Sequence, residues 1–309
     1  MRISRHILAR TLATFFLLAT FHQSAQALFI EPFVIPNNTN EYLRHEKHGI
    51  LAFGASEDGR YGSFLITRSK TYYHNGELSP SKDLLIKKYI YGIHDDPGRD
   101  SISTEELYDL SHEMYRLLIQ PFRKELDELY QLTICHGEQE YSAFPFESFV
   151  IDGSGPYHKR KFLTEVWAIS YLNHFDFLPV EQRGDPPPVQ VDAEGSYCGK
   201  LPHPNQGSVL CNRSGEANWL PKDTERRFWE NVEAGNYIDE ALGLARVAYF
   251  DSLRALSSEE SIHAGLDPRN WADAVILGDI APTHPKRGFP WWVLAPIGLL
   301  LVIVFGRKL

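Results

Sequence analysis

The sequence predicts an α/β fold, because runs with strand character alternate with amphipathic runs of helical period. Three short runs rich in β-branched and aromatic residues, at 49–53, 61–67 and 71–74, indicate an antiparallel meander near the start of the chain. Apolar residues recur at helical spacing from Leu107 to Leu118, and again across 237–256. With 309 residues and 43% hydrophobic content, the chain also has enough apolar material for a core.

Local start and stop signals place the other elements. Asn75-Gly76 predicts a turn after the third strand, and Ser103 followed by Glu106 forms a capping-box pattern for a helix that Pro121 ends. Asn236 is expected to cap the helix at 237–256. The remaining predicted elements are a helix at 84–93, a charged helical segment at 122–130, buried strands at 132–135 and 166–171, a helix at 223–233 and a strand at 271–277.

Both ends of the chain have the composition of membrane-targeting segments. Residues 1–27 carry three early arginines, an apolar stretch and then Ala25-Gln26-Ala27, which is typical of a cleaved signal peptide. Residues 289–306 are uncharged and flanked by basic residues, which predicts a transmembrane helix after a tether at 280–288. We therefore expect an exported, single-pass protein whose folded part lies on the periplasmic or extracellular side of the cell membrane.

The net charge and the cysteines restrict the classes of partner and site that the chain can have. A net charge of −9 and a pI of about 5.8 provide no basic patch, which argues against nucleic acid as a partner. The stretch 179–218 is rich in proline and glycine and is predicted to be a long loop or linker. Cys198 and Cys211 lie in it and are candidates for a disulfide, whereas Cys135 lies in an apolar run that predicts a buried side chain.

Several phrases of the sequence, taken in order, resemble the CHAT family of caspase-like, separase-related domains. They are Leu117-Leu118-Ile119-Gln120-Pro121, His136-Gly137, Phe144-Pro145-Phe146-Glu147-Ser148-Phe149, Ala168-Ile169-Ser170-Tyr171, Glu240-Ala241-Leu242 and Trp271-Ala272. The resemblance covers about residues 40–178 and 219–279, within predicted parts at 28–178 and 219–279. It implies a caspase-like sheet flanked by helices, and it assigns His136-Gly137 to a turn.

The resemblance also implies a catalytic dyad that this chain lacks. Active relatives carry a histidine and a cysteine at the ends of two neighbouring parallel strands, between the counterparts of Tyr171 and the closing helices. Here that interval is the stretch 179–218, which we expect to be too short and too polar for two buried parallel strands. The expected protein is therefore a pseudoenzyme, a non-catalytic module that binds an as yet unknown protein partner and needs no cofactor or metal.

Two alternatives stay open at this point. The first is a caspase-type cysteine endopeptidase with a displaced site, for which the candidate residues are Cys135, His136, Cys198 and Cys211. The second is a chain that completes its sheet with another chain, because a shortened sheet leaves an unpaired edge. A zinc site built from Cys198, His203 and Cys211 lacks an evident fourth ligand, so a disulfide is the better interpretation.

Overall fold

The fold is a mixed eight-stranded sheet with helices packed on both faces, seen in a computed structural model. The structure describes residues 43–55, 60–77, 79–94, 102–135, 145–172, 190–191, 208–212 and 221–278. The predictions that lie outside these residues are the signal peptide 1–27, the tether 280–288, the transmembrane helix 289–306, the turn at His136-Gly137, and any role of His136, Cys198 or His203.

The sheet is parallel at its centre and antiparallel at the first edge. The strands are β1 (His48–Ala55), β2 (Arg60–Ile66), β3 (Thr71–Glu77), β4 (Gln131–Cys135), β5 (Ala168–Leu172), β6 (Gln190–Val191), β7 (Ser208–Asn212) and β8 (Ala274–Gly278). Their order is β3-β2-β1-β4-β5-β8-β7-β6. Strands β1, β4, β5 and β8 run parallel, and β7 pairs antiparallel with β8.

The predicted antiparallel meander is confirmed, with one error at its end. β1 pairs with β2 and β2 with β3, both antiparallel. The turn predicted at Asn75-Gly76 is wrong, since both residues continue β3 opposite Gly62 and Tyr61 of β2. Long-range pairing with β2 therefore outweighs the local turn preference of an Asn-Gly pair.

The helices largely follow the sequence pattern. They are α1 (Pro80–His94), α2 (Thr104–Leu118), α3 (Arg123–Leu126), α4 (Lys222–Glu233), α5 (Ile238–Arg254) and α6 (Glu259–Leu266). The Ser103 side chain accepts a hydrogen bond from the Glu106 N–H, as its cap position predicts. The residue that precedes α5 is Tyr237 rather than Asn236. In the described part of the chain, no helix is both long and apolar enough to cross a membrane.

The stretch 179–218 contains two strands, so its assignment as a loop is wrong in part. β7 forms five residue pairs with β8, and β6 pairs with β7. Leu210 and Cys211 of β7 are each only 1% exposed. The polar, proline-rich composition around β7 hides its strand character, because a strand this short is held by pairing with β8 and not by its own propensity.

The two faces of the sheet pack against different helices. Leu51, Ile134 and Ile169 point to the face covered by α1 and α2, as the two-residue period of a strand requires. Leu210 and Ile276 point to the opposite face, where they pack against α4 and α5. A further cluster around Phe162, Phe250 and Trp271 joins α2, α5 and α6 beside the sheet. These layers fix the carboxyl end of β4, where the candidate residue Cys135 lies.

Candidate functional site

Cys135 ends β4 and is fully buried on the face of the sheet that carries Ile50, Ala52 and Leu172. Burial alone raises the pKa of its thiol far above the ordinary value. A nucleophilic cysteine needs a thiolate and access for a substrate, and this side chain has neither. The prediction that Cys135 is a small buried hydrophobic residue agrees with this environment.

Cys211 lies on β7 and is disulfide-bonded. Cys135 is free, and the sequence has three cysteines, while Cys198 lies outside the described residues. A cysteine in a disulfide offers neither a nucleophilic thiolate nor a zinc ligand. Cys211 is therefore unsuited, in this state, to the displaced catalytic site or to the zinc site considered from the sequence.

A buried polar cluster joins the two phrases that carry the family resemblance. The Glu147 carboxylate, fully buried, accepts a hydrogen bond from the Tyr171 hydroxyl. That hydroxyl in turn accepts one from the Phe146 N–H at 3.0 Å. Arg246 of α5 places Nη2 at 3.5 Å from Glu147 Oε1, and the same nitrogen donates to the Ala274 carbonyl at the start of β8. We call Glu147, Tyr171 and Arg246 the core triad.

The core triad is a connector and not an exposed site. Its charged side chains are 0% and 3% exposed, so water and substrates are excluded. Charges at such depth are tolerated only when they are paired and hydrogen-bonded, because desolvation of each ion is costly. The triad therefore ties the segment after β4, strand β5, helix α5 and strand β8 to one another.

A second polar group lies at the amino ends of β1 and β4. Lys47 donates its N–H to His45 Nδ1, which leaves the ring proton on Nε2, facing Gln131 Oε1. Gln131 then donates its amide to Asp239 Oδ1 at 2.8 Å. The result is a hydrogen-bonded relay from half-buried His45 through Gln131 to fully buried Asp239 in the first turn of α5.

Burial shifts the pKa of both Asp239 and His45, the two residues at the ends of this relay. The pKa of Asp239 is raised to about 7, chiefly by desolvation, although the hydrogen bonds from the Glu240 N–H and Gln131 oppose the rise. The pKa of His45 is lowered, again chiefly by burial. Asp239 Oδ2 is buried and has no hydrogen-bond partner among the described residues. The carboxyl group is consequently a titrating group near neutral pH.

One further group of ionisable side chains was not anticipated from the sequence. His158, Glu259 and His263 place one nitrogen or oxygen atom each within 4.8 Å of one another. His158 follows Pro156 and Tyr157 in a short helical turn, whereas Glu259 and His263 lie one turn apart on α6. More than one hundred residues of sequence separate the two parts, so no local spacing signals the group.

No model of a protein family, no curated protein and no solved structure matches this chain.

Breaking the core triad is expected to cost about 3–5 kcal/mol of unfolding free energy, because the remaining charge stays buried after its ion-pair partner is removed. Glu147→Gln and Arg246→Met each remove one charge of the pair. Urea unfolding of the full-length chain measures the loss. Arg116→Met serves as the control, since Arg116 pairs with Glu113 at 2.9 Å on the surface and should contribute less than about 1 kcal/mol. Equal losses in the buried and surface variants would contradict the role of the triad.

Asp239 is expected to make stability depend on pH between about 4 and 7. Its pKa rises from 3.8 in the unfolded chain to about 7 in the folded one, so the folded state holds a proton that the unfolded state has lost. Its contribution therefore falls as pH rises through this window and is constant above it. In Asp239→Asn this fall disappears, and the variant gains on the order of 4 kcal/mol relative to the parent across the window.

Unfolding free energies measured at several pH values between 4 and 8 test this expectation. Asp251→Asn removes an exposed carboxylate from the same helix and is the matched control. Parallel pH profiles for the parent and Asp239→Asn would contradict a raised pKa of Asp239 in the folded chain.

Proposed function

We propose that this chain is a CHAT-like, caspase-related module that binds a protein partner and has no peptidase activity. In this proposal the signal peptide exports it, the helix at 289–306 anchors it, and the folded part lies on the periplasmic or extracellular side. The fold is consistent with the resemblance, since the phrases around Phe146 and Tyr171 meet in the core triad. The partner is a protein, and neither nucleic acid nor a small-molecule cofactor is part of the proposal.

The state of the cysteines is the observation that supports the non-catalytic reading best. Cys135 is fully buried with a raised pKa, and Cys211 is disulfide-bonded. A caspase-type site requires a thiolate held beside an imidazole in an accessible cleft. Neither of these two cysteines meets that requirement, so the alternative of a displaced peptidase site has no support from them.

The parallel order of β1, β4 and β5 supports a scaffold role. Because these strands are parallel, their carboxyl ends lie on the same side of the sheet. Open α/β folds bind ligands at the carboxyl ends of their strands. Among the described side chains, those nearest these carboxyl ends are Phe53, Cys135 and Leu172, which are buried. They provide no exposed acid, base or nucleophile, so these strand ends give the peptidase alternative no support.

Thiol labelling separates the module from a peptidase. In the folded full-length chain, a thiol-directed electrophile is expected to label no cysteine, because Cys135 is buried and Cys211 is bonded. After unfolding without reductant, we expect one labelled thiol in the parent chain and two in Cys198→Ala, where Cys211 has lost the partner predicted for it. Mass spectrometry counts the labels.

Single alanine variants of Cys135, Cys198 and Cys211 complete the labelling experiment. Rapid labelling of the folded chain that disappears in one of these variants, together with cysteine-dependent cleavage of peptides, would overturn the non-catalytic proposal. Three labels in the unfolded parent chain would contradict the disulfide.

In-cell crosslinking tests the partner. The surface proposed to bind the partner is the stretch 179–218, but deletion of the whole stretch would remove β7 from the sheet. Exchange of 179–189 alone for a Gly/Ser linker of equal length keeps β6, β7 and both Cys198 and Cys211. We expect a protein that crosslinks to the parent chain and is lost from the exchanged variant at an unchanged melting temperature. Retention of the partner would rule out this contact, and a chain that crosslinks to no protein would contradict the binding function.

A further inference from the structure

His158, Glu259 and His263 form a compact group where α6 packs beside the short helical turn at Tyr157–Lys159. Glu259 Oε1 lies 3.2 Å from His158 Nδ1 and 4.0 Å from His263 Nε2. Both nitrogens are inaccessible to solvent, and neither makes a hydrogen bond within the described residues. Two imidazole nitrogens and a carboxylate oxygen thus converge on one small volume without satisfying one another.

The orientation of His263 matches that of a metal ligand. Its other nitrogen, Nδ1, faces Glu105 Oε1 of α2 at 3.5 Å. A proton on Nδ1 is favoured by this carboxylate, and it leaves the Nε2 lone pair directed towards His158 and Glu259. A carboxylate that orients the outer nitrogen of a ligating histidine is a recurrent feature of metal sites.

The charges around the group are compatible with a cation. The neighbouring Arg254 pairs with Glu165 at 2.6 Å, and Arg160 pairs with Asp109 at 2.8 Å. The positive charge of both arginines is therefore already balanced, which leaves Glu259 and Glu105 to balance a divalent ion. Among the described residues that line the adjacent cleft, Lys159 is the other basic side chain besides Arg254 and His158.

An open coordination position would face that cleft. The cleft has a volume of about 380 Å³ and is lined by seven residues, which are His158, Lys159, Arg254, Leu256, Ser257, Glu259 and Ile262. Two histidines and one carboxylate supply three protein ligands, and a zinc ion with three protein ligands completes its tetrahedron with water. Imidazole and carboxylate ligands also favour Zn²⁺ over Mg²⁺ or Ca²⁺.

We infer that His158 Nδ1, Glu259 and His263 Nε2 bind one zinc ion, with Glu105 orienting His263 and water in the fourth position. Glu259 is the most exposed of the three ligands. The three ligand atoms lie within 4.8 Å of one another. The ligands of a tetrahedral zinc site lie about 3.3 Å apart at bond lengths of about 2.0–2.1 Å. On zinc binding, rotation of the side chains would bring the three atoms to this separation.

Titration calorimetry with Zn²⁺ tests the site on the full-length chain, purified in a mild detergent and without a histidine tag. We expect the parent chain to bind one more zinc equivalent than Glu259→Gln or His263→Ala. At that site the affinity should fall at least about 100-fold in either variant, and about 10-fold in Glu105→Gln, which loses only the orienting contact.

Glu260→Gln is the matched control, because Glu260 is exposed, adjacent to Glu259 in the first turn of α6 and outside the group. It should bind zinc as the parent chain does. Melting temperatures in chelator confirm that each variant folds. Added zinc should raise the melting temperature of the parent, of Glu260→Gln and, at higher zinc concentration, of Glu105→Gln, but not that of Glu259→Gln or His263→Ala. Zinc binding that is equal in the parent, Glu259→Gln and His263→Ala would overturn the inference, as would a parent chain that binds no zinc.

Discussion

The buried contact between Glu147 and Arg246 is the constraint on which the architecture depends. It connects the short 3-10 helix at Phe146–Ser148 to α5, a helix from the last third of the described chain. Tyr171 and the Ala274 carbonyl draw β5 and β8 into the same contact. Burial of such a pair has a large desolvation cost, which the attraction between the two charges and their hydrogen bonds must offset. The elements must therefore assemble together around it, in one relative arrangement.

Local sequence patterns predicted the elements whose stability is largely local. Helix α2 has a serine cap, an apolar face with helical period and a proline soon after its end, and all three signals were realised. The meander was equally evident from its β-branched and aromatic runs. These segments carry their own turn or cap residues, so little tertiary information is needed to place them.

The elements that sequence reasoning missed depend on distant partners. β7 is short and lies among polar residues, and its strand conformation follows from pairing with β8, more than sixty residues later in the sequence. The group of His158, Glu259 and His263 also depends on residues that are distant in sequence, because it forms only where α6 packs beside the turn at Tyr157–Lys159. Ser258 caps α6 and Asp267-Pro268 ends it, so this helix did have a local signal, but a weak one over eight residues.

The position of β8 has a consequence for how the protein is made. β8 is the last described strand in sequence, yet it lies between β5 and β7 inside the sheet. During synthesis, β6 and β7 emerge from the ribosome long before the strand that attaches them to the rest of the sheet. The nascent chain must therefore carry these two strands without β8 until residue 278 is available, so the sheet is completed only after its last described strand has been synthesised.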